Sequence, residues 1–451
     1  MARDRGKQAS GAPYRALILS TAAFTICFAV WTLFSIIGVK IKQELALDDS
    51  EFGLLVATPV LTGALSRFFL GLISDKFGGR PVFSLLMLLT AIAVYSVSIV
   101  SNLAMFLLAA LGLGFAGGSF AVGVSYVSKW FDRSRQGTAL GIFGAGTIGT
   151  AVTTFGAPLL VEAIGWRETV QVYAAVLALG GILFYVLSQD DPVTAARTSG
   201  TVKTKSLSEQ LAPLGKLQVW RFSLYYFFVF GAFVALASWL PRYYMGMYGL
   251  TLAKAGLLTT AFALPAAAFR ALGGWVADRI GARTVMYLTF IVSSIACFIL
   301  SYPATDYVVH GIRGPIAFSF GITLSSFVIL TIVLGFFMAI GMAAVYKHIP
   351  VYYPEHVGAV GGLVGAIGGL GGFFLPITFG VMNDLVGVWT SCFMLLFVLV
   401  SLALAWMHGA IRLMEHSKIR ALHTLPALPE MAELNRPNGI LAGPDSERSS
   451  K

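Results

Sequence analysis

Two arginines, Arg67 and Arg270, stand inside long apolar stretches of this chain, and no aspartate or glutamate sits at a comparable depth in any such stretch. A cation in hydrocarbon costs at least about 2.5–3.5 kcal/mol even on the most lenient insertion scale, so a residue of this kind faces a cavity or a partner. Two cations without a carboxylate call for an anion from outside the chain. A guanidinium suits a planar oxyanion, because its forked donors meet two oxygens at once and its charge does not titrate. The alternative is that each arginine bonds backbone carbonyls at a packing interface, which would have to happen twice at related positions. The relation is visible in the spelling: residues 67–80 read RFFLGLISDKFGGR and residues 270–283 read RALGGWVADRIGAR. Arg67 and Arg270, Gly71 and Gly274, Asp75 and Asp278, Gly78 and Gly281, and Arg80 and Arg283 all pair at one offset of 203. Each arginine precedes its aspartate by eight residues, about 12 Å along a helix.

The elements that hold these residues are membrane helices. Of the 451 residues, 57% are hydrophobic and 12% charged, which lies outside the soluble globular range. A helix needs roughly 20 apolar residues to cross a bilayer. Twelve such stretches are expected, near 16–38, 52–74, 81–100, 102–127, 137–160, 169–187, 222–245, 256–277, 284–303, 318–346, 357–381 and 386–410. The first is read as a spanning helix and not as a cleaved signal, since no small-residue cleavage site follows it. The polar interruption at 188–221 separates two six-helix halves, 16–187 and 222–410, leaving an N-terminal segment 1–15 and a tail 411–451 too polar to bury a core.

The net charge of +10 does not point to nucleic acid, because the basic residues are scattered between apolar runs. With the N-terminus placed in the cytoplasm, 23 of the 31 lysines and arginines fall on the cytoplasmic side and six on the other. By the positive-inside rule both termini are cytoplasmic, in a multi-pass protein of the inner membrane. Cys27, Cys297 and Cys392 lie far apart within apolar runs and are read as packing residues, with no metal or cofactor expected. No nucleophile–base pair suggests an enzyme. Gly144, Gly146 and Gly149 spell G-x-G-x-x-G, but no strand precedes them and the segment is a membrane span, so a dinucleotide site is excluded.

The repeated pattern G-x-x-x-D-[KR]-x-G-x-R resembles the loop signature of the major facilitator superfamily, which implies an all-α fold of two pseudo-symmetric six-helix bundles rocking about a central site. The residues themselves give it sense: Gly71, Asp75 and Arg80, and Gly274, Asp278 and Arg283, would form tight turns whose ion pairs latch one conformation.

A closer resemblance lies in GFAGGSF, RQGTALG and GAGTIG of the fourth and fifth stretches and GLVGAIGGLGGFFLP of the eleventh. These are similar to the two glycine-rich signatures of the nitrate/nitrite porter family, whose anion ligands are arginines on the second and eighth helices. The resemblance covers residues 16–410. It implies that Arg67 and Arg270 clamp the anion, that Tyr226 donates a hydrogen bond with Phe230 one turn on, and that Phe120 and Tyr346 form flat aromatic walls. Gly144 and Gly365 belong to the glycine faces that allow close approach and sliding. Where the family generally places Asn in the fifth-helix signature, this chain has Thr147, whose hydroxyl still donates but with different reach.

Lys347 and His348 follow Tyr346, and the spelling from there into YYPEHVGAVGGLVGAIGG resembles the branch thought to couple nitrate to protons. The residues argue the other way, since no membrane carboxylate offers a relay and His348 reads as a solvated loop residue. The expected function is nitrate or nitrite transport by alternating access, proton-coupled on the resemblance, in a monomer whose other partner is the bilayer. Nitrate–nitrite exchange, transport of another small anion such as an organic carboxylate, and a nitrate sensor on a transporter fold are the alternatives.

Overall fold

The computed structural model describes residues 2–47, 49–198 and 207–420. Twelve helical rods run through it. The first six are α1 (Ala2–Trp31, continued by Phe34–Leu45), α2 (Asp49–Phe77), α3 (Gly79–Val97), α4 (Leu103–Gly114 and Ser119–Ser128 around the 3-10 turn Phe115–Gly118), α5 (Gln136–Gly144 and Gly149–Ile164 around the 3-10 turn Ala145–Ile148) and α6 (Trp166–Leu187). The second six are α7 (Leu217–Tyr226 and Phe233–Tyr248 around the π-turn Phe227–Ala232), α8 (Leu252–Ile280), α9 (Ala282–Leu300), α10 (Leu324–Tyr352), α11 (Val357–Val386) and α12 (Ser391–Arg420). Among the described residues, eleven helices are long and apolar enough to cross a membrane, and the glycine-broken α5 is the remaining rod. In hydrocarbon every backbone polar group must be satisfied within the chain, which is why apolar runs of this length become helices.

The repeat shapes the turns it was expected to shape. Gly78 and Gly281, joining α2 to α3 and α8 to α9, take φ of 88° and 86°, a region that a side chain would strain. The end of the molecule carrying these two turns is called the signature face below. The two halves meet chiefly through α2 against α11 and α8 against α5. At these crossings the backbones nearly touch. A Cβ at Gly71 would collide with the Gly358 carbonyl, and one at Gly274 with the Gly137 carbonyl.

Several boundaries differ from expectation. The tenth stretch was placed at 318–346, but 305–320 forms an antiparallel hairpin, β1 (Thr305–Gly311) with β2 (Gly314–Phe320), and α10 runs from Leu324 to Tyr352. The apolar spelling of β2 counted as membrane length. At the other end α10 continues through Lys347 and His348, because protein and not lipid surrounds them. Gly387, at φ 73°, ends α11, and α12 starts at Ser391 and reaches Arg420 inside the expected tail. The rest of that tail and linker residues 199–206 lie outside the described residues.

Candidate anion site

Arg67 on α2 and Arg270 on α8 come from opposite halves and are both buried, at 1% and 2% exposure. Phe120 of α4 lies between them, its ring 5.8 Å from the Arg67 guanidinium carbon and 4.9 Å from that of Arg270. The ring face is the negative side of an aromatic quadrupole, so Phe120 attracts both cations. Tyr226 and Phe230 stack on each other at 5.1 Å with planes 5° apart, and Tyr226 is nearly parallel to Phe120. Tyr346 meets both Phe120 and Tyr226 edge-on at 4.8 Å, and its hydroxyl donates to the Gly361 carbonyl at 2.9 Å. The four aromatic rings are therefore packed together beside the arginines.

The two guanidiniums are held differently. Arg67 donates from Nε to the Gly117 carbonyl and from Nη1 to the Gly365 carbonyl, both at 3.0 Å. The 3-10 turn in α4 contains Gly117, so the tighter winding there coincides with the carbonyl that orients Arg67. To that extent Arg67 does what the packing alternative required. Arg270 donates from Nη2 to the Tyr226 hydroxyl at 3.0 Å, while its Nε is buried without a partner. Gly144 faces that Nε so closely that any side chain there would displace it. Neither arginine is in an ion pair among the described residues, so two buried positive charges remain for an anion to meet.

A cavity of about 210 Å³ reaches Arg270, and Thr147, Phe230, Trp31 and Met342 also line it. Its lining comes from the parts of α1, α5, α7 and α8 that lie away from the signature face, together with Met342 of α10. Arg67, Tyr226, Phe120 and Tyr346 are not in that lining; they are packed behind Phe230. Thr147 shares the cavity with Arg270, and its hydroxyl donates back to the Gly144 carbonyl at 3.1 Å.

At the signature face the two repeated aspartates bridge the halves. Asp75 accepts from the Ala359 amide at 3.0 Å and from the Ser125 hydroxyl at 2.8 Å, capping the start of α11. Asp278 accepts from the Gly137 amide at 3.0 Å and from the Thr138 amide and hydroxyl at 2.6 Å each, capping the start of α5. A carboxylate at a helix N-terminus satisfies orphan amides and meets the positive end of the helix dipole. Where ion pairs were expected, the two aspartates thus mainly form helix caps across the halves. Arg80 instead bonds the Tyr185 carbonyl and pairs with Asp190, and Arg283 lies in a separate cavity of the C-terminal half.

The loop placement of His348 is overturned. It lies within α10 at 5% exposure, its ring stacked on Phe222 at 5.2 Å. Lys347 beside it, 2% exposed, pairs with Asp278 at 3.0 Å and donates to the Arg133 carbonyl. Neither touches Arg67 or Arg270 among the contacts given above, and Lys347 sits with Asp278 at the signature face instead.

Sequence reasoning missed a second repeat. Gly137, Gly141 and Gly144 of α5 face the backbone and side chain of α8 at Gly274, Arg270 and Asp278, and Gly358, Gly362 and Gly365 of α11 face Gly71, Arg67 and Asp75 of α2. These triplets are related by one offset of 221, readable in the spelling once sought. Trp31, whose ring lies 5.5 Å from the Arg67 guanidinium and whose Nε1 donates to the Pro59 carbonyl, was also missed. A tryptophan in an apolar run gives no signal of its own.

The Major Facilitator Superfamily family model matches residues 19–307 and 247–421 of the chain. Over 409 residues the chain is 42% identical to the "Probable nitrate/nitrite antiporter NarK1" of Thermus thermophilus, covering 87% of this chain and 90% of that one. It is 33% identical to the "Nitrite extrusion protein" of Bacillus subtilis over 89% of this chain and 96% of that one. In fold it is similar to the E. coli fucose:proton symporter, with a TM-score of 0.67 at 15% identity over 88% of this chain and 99% of that one.

Proposed function

Since the chain belongs to the nitrate/nitrite porter family of the major facilitator superfamily, a family of multi-pass membrane transporters and not of enzymes, we propose that it carries nitrate or nitrite by alternating access, with the anion held between Arg67 and Arg270. The observation that carries this reading is the pair of buried guanidiniums, one from each half, with no acidic partner among the described residues and one Nε left open on Arg270. A planar anion bridging them ties the halves together, and its exit on either side requires one pair of helix crossings to part. The charge asymmetry supports placing the signature face in the cytoplasm. In that orientation the cavity lies on the side away from the cytoplasm, and the caps at Asp75 and Asp278 would close the cytoplasmic side.

Exchange of one anion for another is the coupling that the site favours. An empty carrier would have to bring two uncompensated cations through an occluded state, whereas a bound monoanion cancels half of that charge. The name borne by the Thermus relative agrees. Proton-coupled uptake is the second reading, supported by the resemblance in 346–369. Labelled nitrate uptake into proteoliposomes separates the two. Exchange predicts uptake only with nitrite or nitrate trapped inside and no response to a pH gradient. Uptake into empty vesicles driven by an inward proton gradient would replace exchange with symport, and no nitrate uptake under either condition would remove the assignment.

Thr147 offers a graded test of the site. Loss of one hydrogen bond costs about 1 kcal/mol, or about fivefold in affinity. Thr147→Val is therefore expected to raise the nitrate Kd about fivefold, and Thr147→Asn to leave it unchanged or lower it. Equal affinity in all three proteins would take Thr147 out of the site.

A further inference from the structure

The hairpin of β1 and β2 stands at the end of the molecule opposite the signature face, since α9 leaves the Gly281 turn at that face and runs to Leu300 before β1 begins. It has one apolar side. Cross-strand partners share a face, and the register puts Thr305 with Phe320, Tyr307 with Phe318, and Val309 with Ile316 on the first of the two. The other face is mixed: Asp306 accepts from the Ser319 hydroxyl at 2.6 Å, Val308 lies opposite Ala317, and His310 lies opposite Pro315. Among the described residues, nothing buries the apolar face. Val309, Ile316, Phe318 and Phe320 are 48–59% exposed, and the ring contacts found are Tyr307 with Phe318 inside the hairpin and Tyr302 with Phe320 at its base, each at 5.3 Å. A two-stranded hairpin is marginal on its own in water, and a contiguous apolar face of this kind marks an interaction site.

The surface next to the hairpin indicates its partner. On α9, Leu288, Ile291, Ile295, Phe298 and Ile299 are 40–59% exposed at helical spacing, and in a membrane protein such a stripe faces lipid. The stripe runs up to the last turn of α9, and β1 begins at Thr305, just beyond. No residue of α9 lines the cavity that reaches Arg270, so the hairpin is rooted on the lipid-facing flank and not over that cavity. Aromatic rings backed by polar groups are what the boundary between lipid tails and water selects. A strand of seven residues is about 23 Å long, at about 3.3 Å per residue. The headgroup layer of one leaflet is only about 5–7 Å deep. Standing upright, the hairpin would carry most of its apolar face into water; lying along the surface, it sets the whole face on lipid.

We propose that the hairpin lies along the leaflet opposite the signature face as an interfacial anchor of the C-terminal half, with Tyr307, Val309, Ile316, Phe318 and Phe320 in the headgroup region and Asp306, His310 and Ser319 toward water. An element of this kind binds a bilayer through the apolar area it buries at the boundary between headgroups and acyl chains.

The native cysteines are buried, so nitroxide labels can be placed singly through Val309→Cys, Ile316→Cys and Phe318→Cys on the apolar face and through His310→Cys and Ser319→Cys on the other. The full chain is held in nanodiscs of phosphatidylcholine. Each label's collision rate is then read with oxygen, which concentrates in lipid, and with a neutral nickel chelate, which stays in water. The ratio of oxygen to nickel collisions is expected to be several times higher for labels on the apolar face than for labels on the polar face. Ile316→Cys carries the test if losing the Tyr307 contact disturbs the hairpin in Phe318→Cys. Labels on the apolar face that favour nickel, or labels on both faces that favour oxygen alike, would overturn the anchor. Shielding of the apolar face from both reagents would mark a protein cover, a second copy of the chain where a neighbouring spin also broadens the spectrum, and would overturn it equally.

Discussion

Lysine in place of Arg67 or Arg270 is expected to lower nitrate transport in proteoliposomes by about a hundredfold while leaving membrane insertion intact, since an ammonium cannot reproduce two-point recognition of a planar anion and each lost charged hydrogen bond costs about 1.5–3 kcal/mol. The two variants should differ in kind. Among the described residues Arg270 has its Nε unpaired and donates a hydrogen bond only to Tyr226, so Arg270→Lys should act almost wholly on nitrate affinity. Arg67 also holds the Gly117 and Gly365 carbonyls, so Arg67→Lys should in addition lower the thermal stability of the nitrate-free protein. Nitrate binding measured by calorimetry and unfolding temperature measured without nitrate resolve the two contributions. Parent-like transport by either variant would make that arginine a packing residue.

A smaller but still large effect is expected from one methyl group far from the anion. Gly71→Ala and Gly274→Ala each set a Cβ against a carbonyl of the opposite half, which is backbone and has no rotamer to retreat into. Overpacking of this kind costs about 1–3 kcal/mol. Here the cost falls only on the form closed at the signature face, so the equilibrium should shift about tenfold or more toward opening there. The three native cysteines are buried, so a single reporter introduced as Ala359→Cys reads this cleanly. Its labelling by a water-soluble maleimide should accelerate about tenfold with either alanine present, and transport should fall in parallel. Labelling at the parent rate would show that the crossing is not part of the cycle.

Much of this was legible because membrane sequences write their exceptions plainly. Arg67 and Arg270 stood out as charges in apolar runs, and the repeat around Asp75 and Asp278 fixed both turns and their glycines. What was illegible had one physical cause: hydropathy measures preference for lipid and is blind to the protein interior. Lys347 and His348 looked like the end of a helix because they are polar, yet α10 carries them into protein that satisfies them. The hairpin strand Gly314–Phe320 looked like membrane because it is apolar. The π-turn that separates Tyr226 from Phe233 had no spelling at all. It arises where α7 packs against the glycines of α11, a tertiary fact.

The crossings at Gly71 with Gly358 and at Gly274 with Gly137 are made by main chain on both sides. A door hung on such hinges has no adjusting screws, because neither partner has a side chain to vary. Its tightness cannot be graded by small steps over generations; a substitution there jams it, and only the caps at Asp75 and Asp278 remain to be tuned. The vestibule wall at Thr147, Phe230 and Met342 touches none of these points among the contacts found. Cargo preference can therefore drift, or be engineered, through the wall while the door stays as it is.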